Sequence, residues 1–390
     1  MAATVITNIG TIVSGLIDQP ILKGDVIVIK DGKIESVGGQ ELIDALKKEA
    51  VEIKTIDAGG MTVTPGLIDS HTHPVIGDYT PRQKMADFIE SSIHGGVTTM
   101  ISAGEVHTPG RPTDPAGVKA LAILANKSFA LLKPGGVKVI AGSVILEKGL
   151  TEADFAEMAA AGVRTVGEVG LGSVKKPEDA APMVAWAKKH NMKVMMHTGG
   201  TSVPGSSTVT ADDVIRTNPD VVSHINGGPT AVSLTEVDRL LDETELALEI
   251  VQCGNPKVAD YVARKATAAK KLNRIIFGND APSGTGVIPL GILRNICQIA
   301  SMSEVPAAVA VAMATGNTAR VYGLNTGVIA PGKEADIVIM DTPMGSVGKT
   351  ALEAIEAGDL PGVALVLVDG VVKVNKSRNT PPTVGKVTIA

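Results

Sequence analysis

The stretch GLIDSHTHP, residues 66–74, places Asp69, His71 and His73 at the end of a short apolar run. If the stretch is a strand, its side chains alternate between two faces, so these three residues share one face. Two imidazoles this close together are typical of metal ligands. The alternative interpretation of the same sequence is a polar strand end with two solvated histidines. The metal hypothesis therefore requires further ligands elsewhere in the chain.

Other short apolar runs also end in a histidine or a carboxylate. These residues, each with its run, are Glu168 (163–170), His197 (193–198), His224 (220–226) and Asp280 (273–280). Four imidazoles and two carboxylates suit a pair of metals, one of them held by His71 and His73. The other metal would be held by His197 and His224. Glu168 would bridge the pair, and Asp280 would bind one metal beside a shared water.

Such a pair of metals is suited to hydrolysis. Two cations lower the pKa of a shared water from 15.7 toward about 7, which yields a hydroxide nucleophile at neutral pH. Asp280 would accept the proton of that water and deliver it to a leaving nitrogen. Structural roles compete with each assignment: Glu168 as an interior salt-bridge residue, His224 as a core histidine, Asp280 as a helix N-cap. The ligand hypothesis rests on their joint occurrence at strand ends.

Eight apolar runs must position these side chains. They are 62–71, 97–103, 137–144, 163–170, 193–198, 220–226, 246–252 and 273–280, and amphipathic segments such as EDAAPMVAWAKKH lie between them. Strands that alternate with helices predict a parallel sheet, and eight such units predict an α/β fold, a (β/α)8 TIM barrel over residues 65–323. Functional residues of such barrels lie at the C-terminal ends of the strands, where all six candidates fall.

Both flanks of this region have β character. VIVIKDGKIESVGG, from Val26, and VALVLVDGVVKV each contain an Asp-Gly turn, at Asp31-Gly32 and Asp369-Gly370, as expected of hairpins. Segments 1–64 and 324–390 are therefore predicted to form one small β-sandwich domain, although two separate β appendages would give the same pattern.

The composition argues against nucleic-acid and membrane partners. Of 390 residues, 44% are hydrophobic but only 2% are aromatic, and the net charge is −5 without a Lys/Arg cluster. We therefore expect neither a basic groove nor base-stacking platforms. The chain has no run of about 18 apolar residues, so no transmembrane helix is expected. Two cysteines and an N-terminus without signal-peptide features favour the cytoplasm.

These motifs resemble the amidohydrolase superfamily. The resemblance rests on PGLIDSHTH (65–73), the later single histidines, the aspartate after the eighth run, and the tail GVIAPGKEADIVIMD (327–341). It implies that His71, His73 and Asp280 bind one metal, that the two later histidines bind the other, and that both chain ends share one domain. Many members bridge the metals with a carboxylated lysine on the fourth strand. Glu168 stands at that position here, which points away from dihydroorotase-like and hydantoinase-like branches.

Longer stretches resemble the enamidases, a family within that superfamily. They include GSVILEKGLTEADF, MHTGGTSVPGSSTVTADDVI, VVSHINGGPTA, EIVQCGNPKVADYVAR and FGNDAPSGTG. Enamidases open the lactam ring of 6-oxo-1,4,5,6-tetrahydronicotinate, and the product loses ammonia to give 2-formylglutarate. The resemblance implies this reaction, a zinc and iron pair as cofactors, and a homotetramer.

A substrate of this kind carries a carboxylate, which calls for Arg, Lys or backbone amides. The candidate substrate-binding residues are Arg82 and Tyr79 in DYTPRQK, Lys257 in GNPK, and Thr198, Gln252 and His107. Arg82 is the first choice for the carboxylate and Lys257 the second, with a solvated surface base as the alternative for both. The loop 199–213 would be a lid, a connection that ends in a Thr210–Asp213 helix cap, or both.

Two other kinds of function compete with this one. An amidohydrolase of the adenine-deaminase or imidazolonepropionase kind would share the metal centre, but a purine substrate would not need Arg82. A non-catalytic scaffold would have lost metal ligands, whereas all six ligand positions are filled here.

Overall fold

The strands and helices come from a computed structural model that describes residues 2–49, 52–76, 85–201, 207–227, 230–282 and 287–390. The strands are β1 (Ala2–Thr7), β2 (Thr11–Val13), β3 (Ile21–Leu22), β4 (Val26–Lys30), β5 (Lys33–Gly38), β6 (Glu52–Asp57), β7 (Thr62–Pro65), β8 (Leu67–Thr72), β9 (Val97–Ser102), β10 (Lys138–Ile140), β11 (Thr165–Val169), β12 (Lys193–Met196), β13 (Val221–Val222), β14 (Ala247–Val251), β15 (Ile275–Gly278), β16 (Ile337–Asp341), β17 (Gly362–Val368), β18 (Val371–Asn375) and β19 (Thr388–Ile389). The α-helices are α1 (Gln40–Lys48), α2 (Met85–Ile93), α3 (Pro115–Leu131), α4 (Glu152–Ala160), α5 (Pro177–Lys189), α6 (Ala211–Thr217), α7 (Leu234–Glu243), α8 (Pro256–Ala268), α9 (Gly291–Met302), α10 (Ala307–Ala312), α11 (Thr318–Tyr322) and α12 (Ala351–Glu356). Short 3-10 turns lie at Pro134–Gly136 and Leu272–Arg274, and a π-helical turn lies at Met313–Asn317.

The strands β8 to β15 form a closed parallel barrel. They hydrogen-bond in the orders β10-β9-β8 and β11-β12-β13-β14-β15. Parallel bridges at Val144–Val166 and Thr72–Ala281 join the two groups of strands. Helices α2 to α8 each lie between two successive strands and α9 follows β15, and this order confirms the predicted (β/α)8 barrel.

The first predicted strand, 62–71, is split by Gly66, and only its second part enters the barrel. Its first part, β7, pairs with β16 and β2 outside the barrel. A side chain at Gly66 would place its Cβ 2.2 Å from Thr98 Oγ1, so only glycine fits where the chain passes from one sheet to the other. The predicted strand 220–226 was also too long, because β13 covers only Val221–Val222.

Strands from both chain ends form the small β-sandwich. Its two sheets have the orders β18-β17-β16-β7-β2-β3 and β19-β6-β1-β4-β5. Side chains from both sheets pack together in one core, among them Ile6, Ile27, Ile56, Ile337 and Leu365. We propose the boundaries 1–64 with 324–390 for this domain and 65–323 for the barrel.

Both Asp-Gly turns predicted from the sequence are confirmed. The turns join β4 to β5 and β17 to β18. Asp31, Gly32, Asp369 and Gly370 all have positive φ, between 49° and 75°. Positive φ at both central residues is what a two-residue hairpin turn with the right-handed twist of the strands requires.

An apolar layer closes the N-terminal end of the barrel. Ile68, Met195 and Ile276 pack there against Ala319 and Tyr322 of α11. This layer leaves the opposite end of the barrel for polar side chains. Within the described ranges, no helix combines the length and apolar character needed to cross a bilayer.

Candidate metal centre

One group of ligand atoms lies where β8 and β15 end. His71 Nε2 lies 3.2 Å from His73 Nε2, which lies 3.2 Å from Asp280 Oδ1. His71 Nε2 lies 3.6 Å from the same Asp280 oxygen. The structure thus brings together three residues of which His71 and Asp280, the farthest apart, are separated by 209 positions in the chain.

A second group joins the ends of β11, β12 and β13. His197 Nδ1 lies 3.1 Å from His224 Nε2, and His224 Nε2 lies 2.6 Å from Glu168 Oε1. His197 Nδ1 lies 3.8 Å from this oxygen. All three residues are buried.

Glu168 lies between the two groups. While its Oε1 faces His197 and His224, its Oε2 lies 3.7 Å from both His71 Nε2 and His73 Nε2. Each carboxylate oxygen therefore faces one group, as expected of a carboxylate that bridges two cations.

The tautomers of His71 and His73 test whether a cation fits the first group. His71 Nδ1 lies 2.7 Å from Glu249 Oε2, and His73 Nδ1 lies 3.3 Å from Gly104 O. Both oxygens are acceptors, so each Nδ1 carries hydrogen, and in the neutral form that binds a metal each ring turns its Nε2 lone pair inward. Two lone pairs that meet at 3.2 Å repel each other unless a cation lies between them.

The spacing of the ligand atoms also suits metal binding. Nitrogen and oxygen ligands bound to zinc at about 2.0–2.1 Å in tetrahedral geometry lie about 3.3 Å from one another. The two groups show separations of 2.6–3.8 Å. We therefore propose that His71, His73 and Asp280 hold one divalent metal, that His197 and His224 hold another, and that Glu168 bridges the two.

The electrostatic field of the site favours positive charge on His71 and His224. Burial opposes the charged form of His71, but neighbouring carboxylates, Glu249 first among them, hold the pKa of His71 well above its ordinary value. Burial also opposes ionisation of Asp280, yet the histidines, led by His71, hold the pKa of Asp280 well below its ordinary value. The same field attracts a divalent cation.

Two of the proposed ligands have strained backbone. His224 has a φ of 35° and Asp280 a φ of 55°. Residues other than glycine rarely adopt positive φ, and such strain is typical of functional sites. At His224 this conformation also ends β13 early and turns the imidazole toward Glu168.

Some predicted substrate-binding residues lie near the metal ligands. The His107 ring centroid is 5.1 Å from that of His73, and burial, with His73, lowers the pKa of His107. Gln252 follows β14 and buries an Oε1 that has no hydrogen-bond partner in the structure. Thr198, in contrast, already donates its hydroxyl to Ser223 O at 2.7 Å.

Other predictions for substrate binding are not supported by visible contacts. Lys257 is exposed in the first turn of α8. Tyr79 and Arg82 lie outside the described residues, as do 202–206 of the predicted lid. The helix cap at the end of this loop is confirmed, because the Thr210 hydroxyl accepts a hydrogen bond from Asp213 N at the start of α6.

Sequence reasoning gave no role to three side chains that lie here. Glu249 contacts His71, and Cys253 Sγ lies 3.3 Å from Asp280 Oδ2. Asp69 accepts hydrogen bonds from His71 N and Asn279 N, and burial raises the pKa of Asp69 to about 7. A lone carboxylate inside an apolar strand, as in LALEIV, is a signal that could have identified Glu249.

The comparisons with known proteins agree with this architecture. Residues 62–373 match the amidohydrolase family. The chain belongs to this family, and it is a hydrolase that acts on C–N bonds of amides.

The similarity to one member extends over the whole chain. The chain is 67% identical to the enamidase of Eubacterium barkeri over 382 residues, which cover 98% of both proteins. It matches the 1.9 Å crystal structure of an enamidase with a TM-score of 0.96 and 65% identity, over 100% of each chain.

More distant relatives share the fold. The adenine deaminase of Ruegeria sp. (strain TM1040) is 27% identical over 82% of this chain, and the matched region covers 51% of that protein. A β-aspartyl dipeptidase structure from Fervidobacterium islandicum AW-1 matches with a TM-score of 0.64 at 17% identity, over 98% of each chain.

Proposed function

We propose that this chain is an enamidase-like hydrolase that opens the lactam of 6-oxo-1,4,5,6-tetrahydronicotinate. The first water cleaves the amide C–N bond, and a second replaces the amine nitrogen, which leaves as ammonia, so that 2-formylglutarate is formed. The observation that carries this proposal is the 67% identity to an enamidase over 98% of both proteins. The six convergent candidate ligands support it.

The proposed residues have separate tasks in this reaction. Two divalent metals, when bound, would polarise the lactam carbonyl and lower the pKa of a shared water toward about 7. Asp280 would accept the proton of the attacking water and transfer it to the ring nitrogen. The position of Asp280 supports this role, because its carboxylate lies among the proposed metal ligands, 3.2 Å from His73 Nε2.

The second half of the reaction would use the same residues. Once the ring is open, the enamine tautomerises to an imine, and addition of water to the imine carbon releases ammonia. Asp280 would again move the proton. Its Oδ2 lies beside Cys253 Sγ and its Oδ1 beside His73, so the carboxylate is held from both sides.

We assign substrate contacts at the mouth as follows. Gln252 Oε1, which is buried and has no partner in the structure, would accept the lactam N–H. His107 would form one wall beside His73. Arg82, with Tyr79, remains our first choice for the substrate carboxylate and Lys257 our second, and the loop 199–213 is our candidate lid.

The cofactors and the assembly are part of the same proposal. We propose one zinc and one iron per chain, a homotetramer and a cytoplasmic location, and no membrane or nucleic-acid partner. The zinc and iron pair and the homotetramer rest on the resemblance of the sequence motifs to the enamidases. The cytoplasmic location rests on the two cysteines, which form no disulfide with each other. Elemental analysis and light scattering would test metal content and assembly.

The decisive experiment measures ammonia release from 6-oxo-1,4,5,6-tetrahydronicotinate by anaerobically purified protein of known metal content. We expect metal-dependent release that falls about 10²- to 10⁴-fold in Asp280→Ala, because an acid–base group typically contributes that much to the rate. Glu157→Ala removes an exposed carboxylate on α4 and is the control that should retain activity. Arg82→Met should raise KM more than Lys257→Met does.

Other outcomes would point to other functions. No release from protein that carries two metals per chain would refute the substrate and keep the hydrolase, and adenine and other cyclic amides and amidines would be assayed next. Purified protein that assembles without metals and binds none when they are supplied would refute the metal centre and favour a scaffold.

A further inference from the structure

A buried carboxylate below the metal centre contacts one proposed ligand from each group. Glu249 lies in β14 and is fully buried. Its Oε2 lies 2.7 Å from His71 Nδ1 and accepts a hydrogen bond of 3.3 Å from His224 N. Its Oε1 accepts a hydrogen bond of 2.5 Å from Ser70 Oγ.

The contact with His71 determines which ring nitrogen can bind a metal. An ionised carboxylate accepts hydrogen bonds but cannot donate them, so His71 Nδ1 must carry the hydrogen. The Nε2 lone pair then points toward His73 and Asp280. In the other tautomer an N–H would point into the centre and block binding, while the two electron-rich atoms Nδ1 and Oε2 would meet at 2.7 Å.

The contact with His224 acts on the main chain. His224 has a φ of 35°, a conformation that is costly for a residue with a side chain. The hydrogen bond from His224 N to Glu249 helps to hold this turn, which aims the imidazole at Glu168. Backbone hydrogen bonds from Ser223 N to Met196 O and from Ile225 N to Glu249 O also hold this turn, so the effect on the second group should be smaller.

We propose that Glu249 is a positioning residue that fixes His71 for metal binding and thereby sets the affinity of the His71–His73–Asp280 group. The inference rests on the proposed metal centre. A carboxylate that orients a ligating histidine typically contributes about 10-fold to 100-fold in metal affinity. We expect the larger effect at the His71 group and a smaller one at the His197–His224 group.

The test measures zinc affinity rather than activity. Metal-free wild-type protein and Glu249→Gln are titrated with zinc in the presence of a competing chelator, and anomalous diffraction shows which group is filled at one zinc per chain. Glu249→Gln should lower the affinity of the His71 group about 10-fold to 100-fold. Glu249→Asp should not restore it, because its shorter side chain withdraws the carboxylate from Nδ1.

Two controls separate positioning from loss of stability. Asp336→Asn removes another buried carboxylate, which lies in the small β domain and contacts Lys138 and Thr326, and should leave zinc affinity unchanged. Ser70→Ala removes the second partner of Glu249 but keeps the contact with His71, and should change affinity less than Glu249→Gln does. Thermal unfolding of each variant shows whether it is folded.

The outcomes distinguish this inference from the proposed function. Wild-type protein that binds two zinc ions, together with a folded Glu249→Gln of unchanged affinity, would overturn the role of Glu249 alone. Wild-type protein that binds none would overturn the metal centre as well. If Glu249→Gln does not fold, neutron diffraction of the wild type decides, because hydrogen on His71 Nε2 instead of Nδ1 would refute the proposed tautomer.

Discussion

Lys138 holds three carboxylates where the barrel meets the small β domain, and replacing it should destabilise the protein without changing its chemistry. Lys138 Nζ lies 2.6 Å from Glu334, 2.9 Å from Asp336 and 2.7 Å from Asp369. Burial alone would lower the pKa of Lys138, but the carboxylates, led by Asp336, outweigh it and raise that pKa. Asp336 is fully buried at its side chain, whereas the other two are partly exposed.

The expected loss follows mainly from Asp336. In Lys138→Met this buried carboxylate loses its only cation among the described contacts, and breaking a buried ion pair costs about 3–5 kcal/mol. Asp336 keeps hydrogen bonds from Thr326 Oγ1 and Asp369 N, so we expect the lower end, about 3 kcal/mol. The exposed partners add little, because water screens them.

Urea unfolding, followed by the fluorescence of the single tryptophan, Trp186, measures this loss. Lys119→Met is the matched control: Lys119 also joins two carboxylates, but on the barrel surface, and its loss should matter much less. Below the temperature of unfolding, kcat should stay unchanged, because Lys138 begins β10 whereas the metal ligands lie at the opposite strand ends.

The pH dependence provides a second check. Burial already raises the pKa of Asp336, and loss of Lys138 raises it further. A carboxyl group with a raised pKa in the folded state destabilises the protein as pH rises through that pKa, so the deficit of Lys138→Met should shrink on acidification. Lys138→Met combined with Asp336→Asn should recover much of the stability. A loss below about 1 kcal/mol, as for a solvated pair, would refute the reasoning.

Three further predictions concern other parts of the molecule. Burial raises the pKa of Glu105 from 4.5 to about 7, so wild-type stability falls as pH rises across this range. Glu105→Gln should therefore unfold at a higher temperature than wild type at pH 8 but not at pH 5. Equal differences at both pH values would contradict this. Arg274 donates hydrogen bonds to the carbonyls of Leu240 and Leu241 in the last turn of α7 and to that of Leu246 after it. Arg274→Met should therefore lower the free energy of unfolding in urea by about 2–4 kcal/mol. Arg216→Met, which replaces an exposed arginine, should lower it little. Removal of metals by a chelator should lower the unfolding temperature, and zinc at about 1,000 times its Kd should restore about 4 kcal/mol of the free energy of unfolding. An unfolding temperature that the chelator leaves unchanged would argue against a metal centre.

The strand and helix order was predictable because its signals are local. Apolar runs of six to ten residues alternate with amphipathic segments, and this alternation alone predicts a parallel barrel. Since the ends of parallel strands meet at one pole, the histidines at those ends could be expected to lie together. The structure brings His71, His73, His197 and His224 together there, with Glu168 between the pairs.

The break at Gly66 and the early end of β13 could not be predicted in this way. The first depends on Thr98, which lies against Gly66 from the neighbouring strand, and the second on the positive φ of His224. Neither neighbour contact nor backbone strain is visible in an apolar run.

By itself, the sequence determined the class of fold, the two chain ends with β character and the residue types that could bind metals, because periodicity and ligand chemistry belong to short stretches of chain. Only the tertiary structure decided which oxygen of Glu168 faces which histidines, that Cys253 lies against Asp280, and that Glu249 holds His71. His71 and Glu249 are 178 residues apart in the chain, and their contact arises because closure of the barrel brings β8 and β14 around the same interior. Hydrogen-bond geometry across such a closed barrel depends on all its strands at once, so no single stretch of sequence contains it.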